Sequence, residues 1–418
     1  MSLKQSVCTV FLLSLLNPVA SAEGEDTRLP VAEASLVKFV QEVLQTNPGL
    51  QATRSALVAG QARVSAAARP LYNPELEFDF ENADSETRSI GISQTLDWSG
   101  KKKARSNVAG ASLRALEAGT VSQRWAITME LVTALARYRI GQKLNELSQE
   151  RIALMGQITL LAGKRLEAGD LSQVEYDVTN LAYVDSRLQR AVTAAALSTF
   201  TQQVRALVPN SAPSSWPLLQ QELPHIERDR THLNLLLVQL PEVMQTRYSV
   251  DMASALVNLR RKERRLDPTL SLRGGTEDDA SLLGLNLSVP LPIRNSFGYE
   301  VDVAVAELEQ AQYVADDTLR RARARLTATY ENYTLAREAW QQWQHLGQQS
   351  LKSQADQLRA LWETGELSTT DFLVQLKQTL DTRRSALELK LTLWEAWLGY
   401  LTASGQVDDW LGYSQTNR

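Results

Sequence analysis

The chain has 418 residues, of which 44% are hydrophobic and 22% charged, and its formal net charge is −4 at pH 7. This mild acidity, without a basic domain, argues against a nucleic-acid-binding protein. The single cysteine, Cys8, excludes an intrachain disulfide and leaves no set of thiolates for a structural zinc site.

The first 22 residues have the features of a secretory signal peptide. Lys4 supplies positive charge, residues 7–16 are an apolar stretch of suitable length, and residues 20–22 read Ala-Ser-Ala, an A-x-A cleavage site. We therefore expect the mature protein to begin at Glu23, outside the cytoplasm. Too few residues precede Cys8 for it to be a lipid-attachment site.

One segment occurs twice in the chain, 196 residues apart. Residues 167–187 read EAGDLSQVEYDVTNLAYVDSR and residues 363–383 read ETGELSTTDFLVQLKQTLDTR, with seven of 21 positions identical. Such a repeat indicates two copies of one structural unit. We divide the mature chain into a first repeat (23–208), a Pro-rich linker (209–231), a second repeat (232–403) and a loose tail (404–418).

Long proline-free intervals in each repeat are rich in helix-forming residues. In the first repeat, the stretch from Gly100 to Gly169 is long enough for a helix of about 100 Å at 1.5 Å per residue. Average globular helices are only about 11–12 residues long. The sequence therefore predicts helices of coiled-coil length.

Each long helical stretch turns at the repeated GDLS or GELS. Glycine permits the left-handed conformation that ends many helices. Ser172 or Ser368 can then cap the next helix, with an acidic residue three positions later, the spacing of a capping box. We predict two helical hairpins with tips at 169–172 and 365–368.

Four segments alternate apolar and polar residues with period two, which indicates strands with one apolar face. They cover residues 74–82, 88–98, 268–277 and 281–291. At about ten residues each, they are long enough to cross an outer membrane as part of a barrel. The aromatic residues at the strand ends, where a membrane girdle would lie, are Tyr72, Trp98, Phe297 and Tyr299. The alternative is a soluble sheet packed on the helices.

Four strands are too few for a membrane barrel. An open sheet edge in lipid leaves backbone groups unsatisfied, at several kcal/mol each, and bacterial barrels begin at about eight strands. A membrane-spanning sheet would therefore require an oligomer, in which two chains supply eight strands and three supply twelve.

In the order and spacing of these segments the chain resembles the TolC-like outer-membrane efflux proteins. The resemblance rests on the tandem repeat, on NPGLQATRSALVAG followed by YNPELEF, on GISQTLDWSGKKKAR and on the two tips, and it extends from Asn47 to about Gly399. It implies an α+β membrane protein, a homotrimer in which each chain gives four strands to a twelve-stranded β-barrel continued by a helical coiled-coil tunnel through the periplasm. The implied partners are a periplasmic adaptor (membrane fusion protein), an inner-membrane RND-type pump and outer-membrane lipid.

Within this family, GISQTLDWSGKKKAR is most similar to the branch that exports heavy metals, of the cobalt–zinc–cadmium or cobalt–nickel type. The resemblance then implies passive conduction of divalent cations, with the energy supplied by the pump. Two alternatives stay open: the same channel type with drugs or secreted proteins as cargo, and a soluble periplasmic coiled-coil adaptor or scaffold.

The resemblance places the hairpin tips at the periplasmic end of the tunnel. The residues that it implies for adaptor docking are Gly169, Leu171, Ser172, Gly365, Leu367 and Ser368. Those that it implies for a gate, an acidic ring in the narrowed tunnel, are Asp170, Glu175, Glu366 and Asp371. Some relatives have a second aspartate where this chain has Val374. The structural alternative is that the tips are well-capped turns and that Glu175 and Asp371 are capping carboxylates.

The strands and their flanks carry the remaining charge pattern. If Leu76, Phe78 and Phe80 face lipid, three acidic residues that alternate with them face the barrel lumen and would concentrate cations there: Glu77, Asp79 and Glu81. Two basic clusters, within 101–105 and 260–265, flank the strands. They would meet anionic lipid head groups or form a solvated surface with ordinary ion pairs.

No catalytic constellation is found in the sequence. The three histidines, His225, His232 and His345, lie in no metal-ligand motif such as HExxH, and no phosphate loop or GxSxG occurs. We therefore predict a protein that is not an enzyme, with no cofactor and no resident metal.

Overall fold

The structure is a computed structural model that describes residues 30–82, 84–208, 211–226 and 230–413. The predicted signal peptide and residues 414–418 of the predicted tail lie outside these ranges. The helices in chain order are α1 (Ala34–Thr46), α2 (Pro48–Ala67), α3 (Lys101–Ala168), α4 (Gln173–Leu207), α5 (Arg230–Gln239), α6 (Pro241–Glu263), α7 (Gly298–Gln342), α8 (Gln348–Glu363), α9 (Thr369–Ser404) and α10 (Val407–Trp410). The strands are β1 (Glu75–Asn82), β2 (Glu86–Thr95), β3 (Thr269–Glu277) and β4 (Ala280–Ser288).

The first of the long helices, α3, matches the prediction closely. Helix α3 has 68 residues and is bounded by Gly100 (φ +71°) and Gly169 (φ +80°), both in the left-handed conformation. Its length is about 100 Å at 1.5 Å per residue. The α3–α4 hairpin therefore extends far beyond the dimensions of an ordinary globular core.

The second hairpin differs from the first, because its descending limb is interrupted. Residues Trp343–Gly347 form a π-helical turn between α7 and α8. A Cβ placed on Gly347 would lie 2.3 Å from the Trp343 ring, so the indole packs directly on the backbone there. A π-turn of this kind kinks a helix locally.

The four strands form one antiparallel sheet in the order β1-β2-β3-β4. Residues directly opposite one another share a face, and one row runs Leu76–Ile92–Leu272–Leu285 across all four strands. This face is exposed: Phe78 on β1 retains 72% of its accessible surface and Leu283 on β4 retains 81%. The predicted alternation is therefore present, and its apolar side does not pack on the helices.

Strand β2 ends earlier than predicted, at Thr95 rather than residue 98. The physical reason is Asp97, whose carboxylate accepts the backbone N–H groups of Lys101 (2.7 Å) and Lys102 (2.8 Å). Since the first N–H groups of a helix have no partner within it, Asp97 contributes to the start of α3 rather than to the sheet.

Gly275 on β3 lies directly against the backbone of β2. A Cβ at Gly275 would lie 1.9 Å from the Arg88 carbonyl oxygen, whereas a Cβ at the adjacent Gly274 would meet only the Leu282 carbonyl oxygen, at 3.8 Å. We expect Gly275→Ala to separate β2 from β3, because backbone cannot yield as a flexible side chain can. Gly274→Ala is the matched control and should leave the sheet intact. Proteolysis of the purified variants compares them, and equal resistance would contradict the prediction.

The main hydrophobic core surrounds the middle of α3 and the end of α9. Trp397, Trp410 and Tyr333 are almost fully buried there. Residues 404–413 are therefore not the loose tail that was predicted, because Trp410 on α10 is part of this core. The linker also contributes: Trp216 is buried with its ring edge-on to Tyr138, 4.7 Å between centroids. Isolated apolar residues in a polar stretch gave little warning of either contact.

Candidate functional site

The polar face of the sheet carries the acidic residues of β1. Glu77 lies in the row Glu77–Gly91–Arg273–Gly284, and Asp79 in the row that includes Ser89, whose hydroxyl donates to the Asp79 carboxylate (3.1 Å). Glu75 and Glu81 share this face, opposite Leu76, Phe78 and Phe80, as their alternation predicted. Sequence reasoning gave no role to Arg273, the one cation on the polar face of these strands.

Three of the four predicted girdle residues are exposed beside the strands: Trp98, Phe297 and Tyr299. Tyr72 differs, since its hydroxyl donates to Asp267 Oδ2 (2.8 Å) in a partly buried contact. Burial, followed by that hydrogen bond, raises the pKa of Tyr72 to about 12. Tyr72 therefore remains a neutral donor at the junction between sheet and helices.

Lys101 lies at the same junction. For this residue, the prediction that the basic cluster within 101–105 meets lipid head groups or solvent is wrong. Its ammonium group donates to Asp267 Oδ2 (2.8 Å), and both side chains are at least nine-tenths buried. Lys101 thus neither faces lipid head groups nor belongs to a solvated surface. Because Lys101 begins α3 and Asp267 precedes β3, this ion pair joins the two repeats.

The two hairpin tips have the same backbone architecture. Gly169 and Gly365 both have φ +80°. The N–H of each glycine donates to the backbone carbonyl three residues earlier, that of Leu166 or Trp362. The N–H of the acidic residue that follows donates to the carbonyl five residues earlier. This is the Schellman pattern, in which glycine is favoured because it has no Cβ.

The caps that follow the glycines are not identical. Ser172 accepts the Glu175 N–H, and Glu175 in return accepts the Ser172 N–H (3.0 Å), a complete capping box. Ser368 accepts the Asp371 N–H (3.1 Å) and donates its hydroxyl to the Asp371 carboxylate (2.7 Å). For Asp371, which is one methylene shorter, the described contacts include no bond back to the Ser368 N–H. The Glu175 carboxylate is therefore a capping group, whereas the Asp371 carboxylate binds the hydroxyl of the capping serine.

The predicted docking residues differ in accessibility. Gly169, Ser172, Gly365 and Ser368 are exposed, as are Asp170 and Glu366 of the predicted gate. Leu171, however, is buried and Leu367 is half-buried. An approaching partner would therefore meet the glycines, serines and acids of the tips first.

Arg165 of the first hairpin reaches across to the second tip. Its guanidinium lies 4.9 Å from the Trp362 ring and donates to the carbonyl of Glu363 (3.0 Å) at the end of α8. A cation there complements the carbonyl end of a helix. Trp362 in turn stacks on Phe372, 4.8 Å between centroids. The repeat gave no sign of this contact, because Arg165 has Leu361 as its counterpart.

Arg151 joins the two hairpins at a point further from the tips. Its buried guanidinium donates to Asp185 (3.3 Å) on α4 and to Asp381 (2.9 Å) on α9. Asp185 and Asp381 are equivalent positions of the two repeats and belong to the seven identities. The repeat therefore identified two of the three residues of this site, and only the fold shows that one arginine serves both aspartates.

The first tip should respond to acid. Hydrogen bonds from the backbone N–H and hydroxyl of Ser172 lower the pKa of Glu175. A carboxylate with a lowered folded pKa stabilises its cap above its ordinary pKa and loses this effect as pH falls through the folded value. We expect amide exchange at Ser172 to accelerate below about pH 4, relative to Glu175→Gln, which keeps an acceptor but cannot titrate. A variant with the same pH response would contradict this.

In the described part of the chain, no group of three or more His, Cys, Asp or Glu residues could hold a metal ion. None of the described helices is both long and apolar enough to cross a membrane. His225 lies 3.1 Å from the Arg337 guanidinium, and His345 is on the π-turn; the side chain of His232 lies outside the described residues.

Comparison with known proteins gives a sequence relative and several solved structures of the same fold. No protein-family model matches the chain. The cobalt-zinc-cadmium resistance protein CzcC of Cupriavidus metallidurans is 26% identical over 258 residues, 60% of this chain and 61% of that protein, so the match spans less than two thirds of its length.

Among solved structures, CusC, described in terms of transmembrane channel formation, has a TM-score of 0.75 at 15% identity and covers 90% of this chain and 93% of its own. The CmeC outer membrane channel of Campylobacter jejuni has a TM-score of 0.74 at 15% identity, covering 89% and 86%. The open state of the MtrE outer membrane channel of Neisseria gonorrhoeae has a TM-score of 0.73 at 14% identity, covering 90% and 91%. At these identities the structures establish the fold.

Proposed function

We propose that this chain is a TolC-like outer-membrane channel protein and that it is the exit channel of a tripartite efflux system for divalent heavy-metal cations. It lies in the outer membrane and extends into the periplasm. Three copies form the channel, and a periplasmic adaptor and an inner-membrane pump complete the system. It conducts passively and is not an enzyme.

The observation that carries the channel is the sheet at one end of the long helical body. Its apolar face is exposed on all four strands, while carboxylates occupy the other face. A soluble protein rarely leaves so continuous an apolar surface uncovered. Three copies would supply twelve strands, close the edges at β1 and β4, and enclose the carboxylates in a lumen.

The cargo assignment is supported by a sequence relative and by charge. CzcC is named for resistance to cobalt, zinc and cadmium. The polar face of one chain carries five carboxylates: Glu75, Glu77, Asp79, Glu81 and Glu277. A confined acidic lumen concentrates cations.

A deletion strain tests the cargo. We expect greater sensitivity to cobalt, nickel, zinc or cadmium, with restoration by the gene in trans. Unchanged metal tolerance together with greater drug sensitivity would overturn the metal assignment and favour a drug channel. Membrane fractionation tests the channel itself, because recovery in the soluble periplasm would favour an adaptor or scaffold.

We further propose that the tips dock the adaptor and that Asp371 contributes to the gate. Since Asp371 is also bonded to Ser368, two variants separate charge from capping. Asp371→Asn removes the charge and keeps an acceptor, whereas Ser368→Ala removes the cap and keeps the charge. If the charge holds the gate, leak conductance in planar bilayers rises for Asp371→Asn alone. A rise for Ser368→Ala alone would assign Asp371 to the cap.

A further inference from the structure

Arg273 is on the polar face of β3, between two glycines in the same row. Gly91 is its neighbour on β2 and Gly284 its neighbour on β4. A Cβ placed on Gly284 would lie 2.9 Å from Arg273 Nε and 3.0 Å from its Cγ, whereas a Cβ on Gly91 would meet only the Cβ and Cα of Arg273 and the backbone of Leu272. The guanidinium therefore extends over Gly284, toward the free edge of the sheet at β4.

Within one copy, Arg273 has no carboxylate partner among the described residues, and its side chain is exposed. Strand β4 has no charged residue in its nine positions. No charged residue of this strand therefore lies between Arg273 and the free edge of the sheet. The opposite edge, β1, has carboxylates at all four polar-face positions: Glu75, Glu77, Asp79 and Glu81.

Closing a barrel from several copies would pair β4 of one chain with β1 of the next. Barrels require a stagger between strands, so the pairing register at this joint is not set by the rows within one chain. Any register that keeps the apolar face outward shifts in steps of two residues. Carboxylates occupy every second position of β1, all on the polar face. In each register that pairs the two strands and keeps the apolar face outward, the row of Arg273 therefore continues onto the acidic face of the neighbouring β1.

We propose that Arg273 forms an ion pair in the lumen with a β1 carboxylate of a second copy and thereby joins the subunits at the β4–β1 edge. This rests on the proposed function, since it requires a barrel closed by several chains. In the closed barrel, two interstrand spacings of about 4.8 Å each separate β3 from the β1 strand of the second copy. An arginine side chain that extends over a glycine, together with a glutamate side chain, can span this gap. Arg273 also contributes one positive charge per chain to a lumen that is otherwise lined by carboxylates.

Disulfide scanning tests the joint directly. In a Cys8→Ser background, cysteines at Leu76, Phe78 or Phe80 are combined with cysteines at Ser281, Leu283, Leu285 or Leu287. Within one chain β1 and β4 are about 14 Å apart, three strand spacings, too far for a disulfide. A cross-linked pair therefore reports two chains and fixes the register. We expect covalent dimers and trimers for pairs of one register only.

Charge reversal tests Arg273 itself. Arg273→Glu should reduce the amount of oligomer recovered from the outer membrane about tenfold, the effect of losing a close charge pair. The oligomer should be restored when Arg273→Glu is combined with one of the substitutions Glu75→Lys, Glu77→Lys, Asp79→Lys or Glu81→Lys. The effective one should be at the carboxylate that the disulfide register places nearest to Arg273. Arg88→Glu, the other arginine of the strands and on the apolar face, is the control and should not be rescued by these lysines.

The outcomes separate this inference from its premise. A wild-type chain that is monomeric in the soluble periplasm would overturn the barrel and this inference with it. A wild-type oligomer in the outer membrane, with Arg273→Glu assembling normally and no lysine variant interacting with it, would overturn the ion pair alone. Arg273→Gln should in addition increase cation over anion selectivity in bilayers, and an unchanged reversal potential would remove Arg273 from the lumen.

Discussion

Replacing Lys101 with Met should destabilise the junction between sheet and helices by about 3–5 kcal/mol, the cost of removing one partner from a buried ion pair. The Asp267 side chain is 5% exposed, so water cannot replace the ammonium group. The second oxygen, Oδ1, already has no hydrogen-bond partner, and the Tyr72 hydroxyl would be the sole remaining donor described for this carboxylate. A midpoint shift in thermal or denaturant unfolding measures the loss.

Two controls distinguish the ion pair from packing at the same place. Lys102→Met changes an exposed neighbour and should have little effect. Lys101→Met combined with Asp267→Leu removes both charges and should recover most of the lost stability, because a buried ion pair is often no more stable than an apolar replacement. If the double variant were as unstable as Lys101→Met, the loss would come from packing rather than from an unpaired carboxylate.

Features that depend on local sequence were predictable. The glycines at both ends of α3, the capped tips and the period-two strands each follow from residues within a few positions of one another. The apolar face of the sheet was predictable for the same reason, since alternation alone determines which side chains share a face. Sequence also gave the equivalence of the tips, because the repeat aligns them.

Features that depend on which segments meet were not predictable. Lys101 belongs to a run of three lysines with nothing to mark it, and it is buried only because the second repeat brings Asp267 beside it. Arg273 appeared as one polar residue of a strand, and its significance arises from Gly284 on the next strand. The π-turn likewise depends on how the Trp343 ring packs on Gly347. In each case the decisive neighbour is distant in sequence or set by packing.

Replacing Asp185 and Asp381 together with Asn should cost about 3 kcal/mol, more than replacing Arg151 with Met. The Arg151 side chain is 8% exposed, whereas the aspartate side chains are 48% and 44% exposed. Arg151→Met leaves two carboxylates that water can solvate, at a cost of about 1 kcal/mol. The double aspartate variant instead leaves a buried guanidinium without a counter-ion.

The single aspartate variants should be non-additive, because either carboxylate alone can still neutralise Arg151. Asp185→Asn or Asp381→Asn should therefore each cost less than half of the double variant, as measured by unfolding midpoints and by amide exchange near residue 151. An Arg151→Met variant that is the less stable of the two would show that packing dominates the site. Since Asp185 is on the first hairpin and Asp381 on the second, the double variant should also increase exchange on both hairpins together, as expected if one buried cation holds the two repeats side by side.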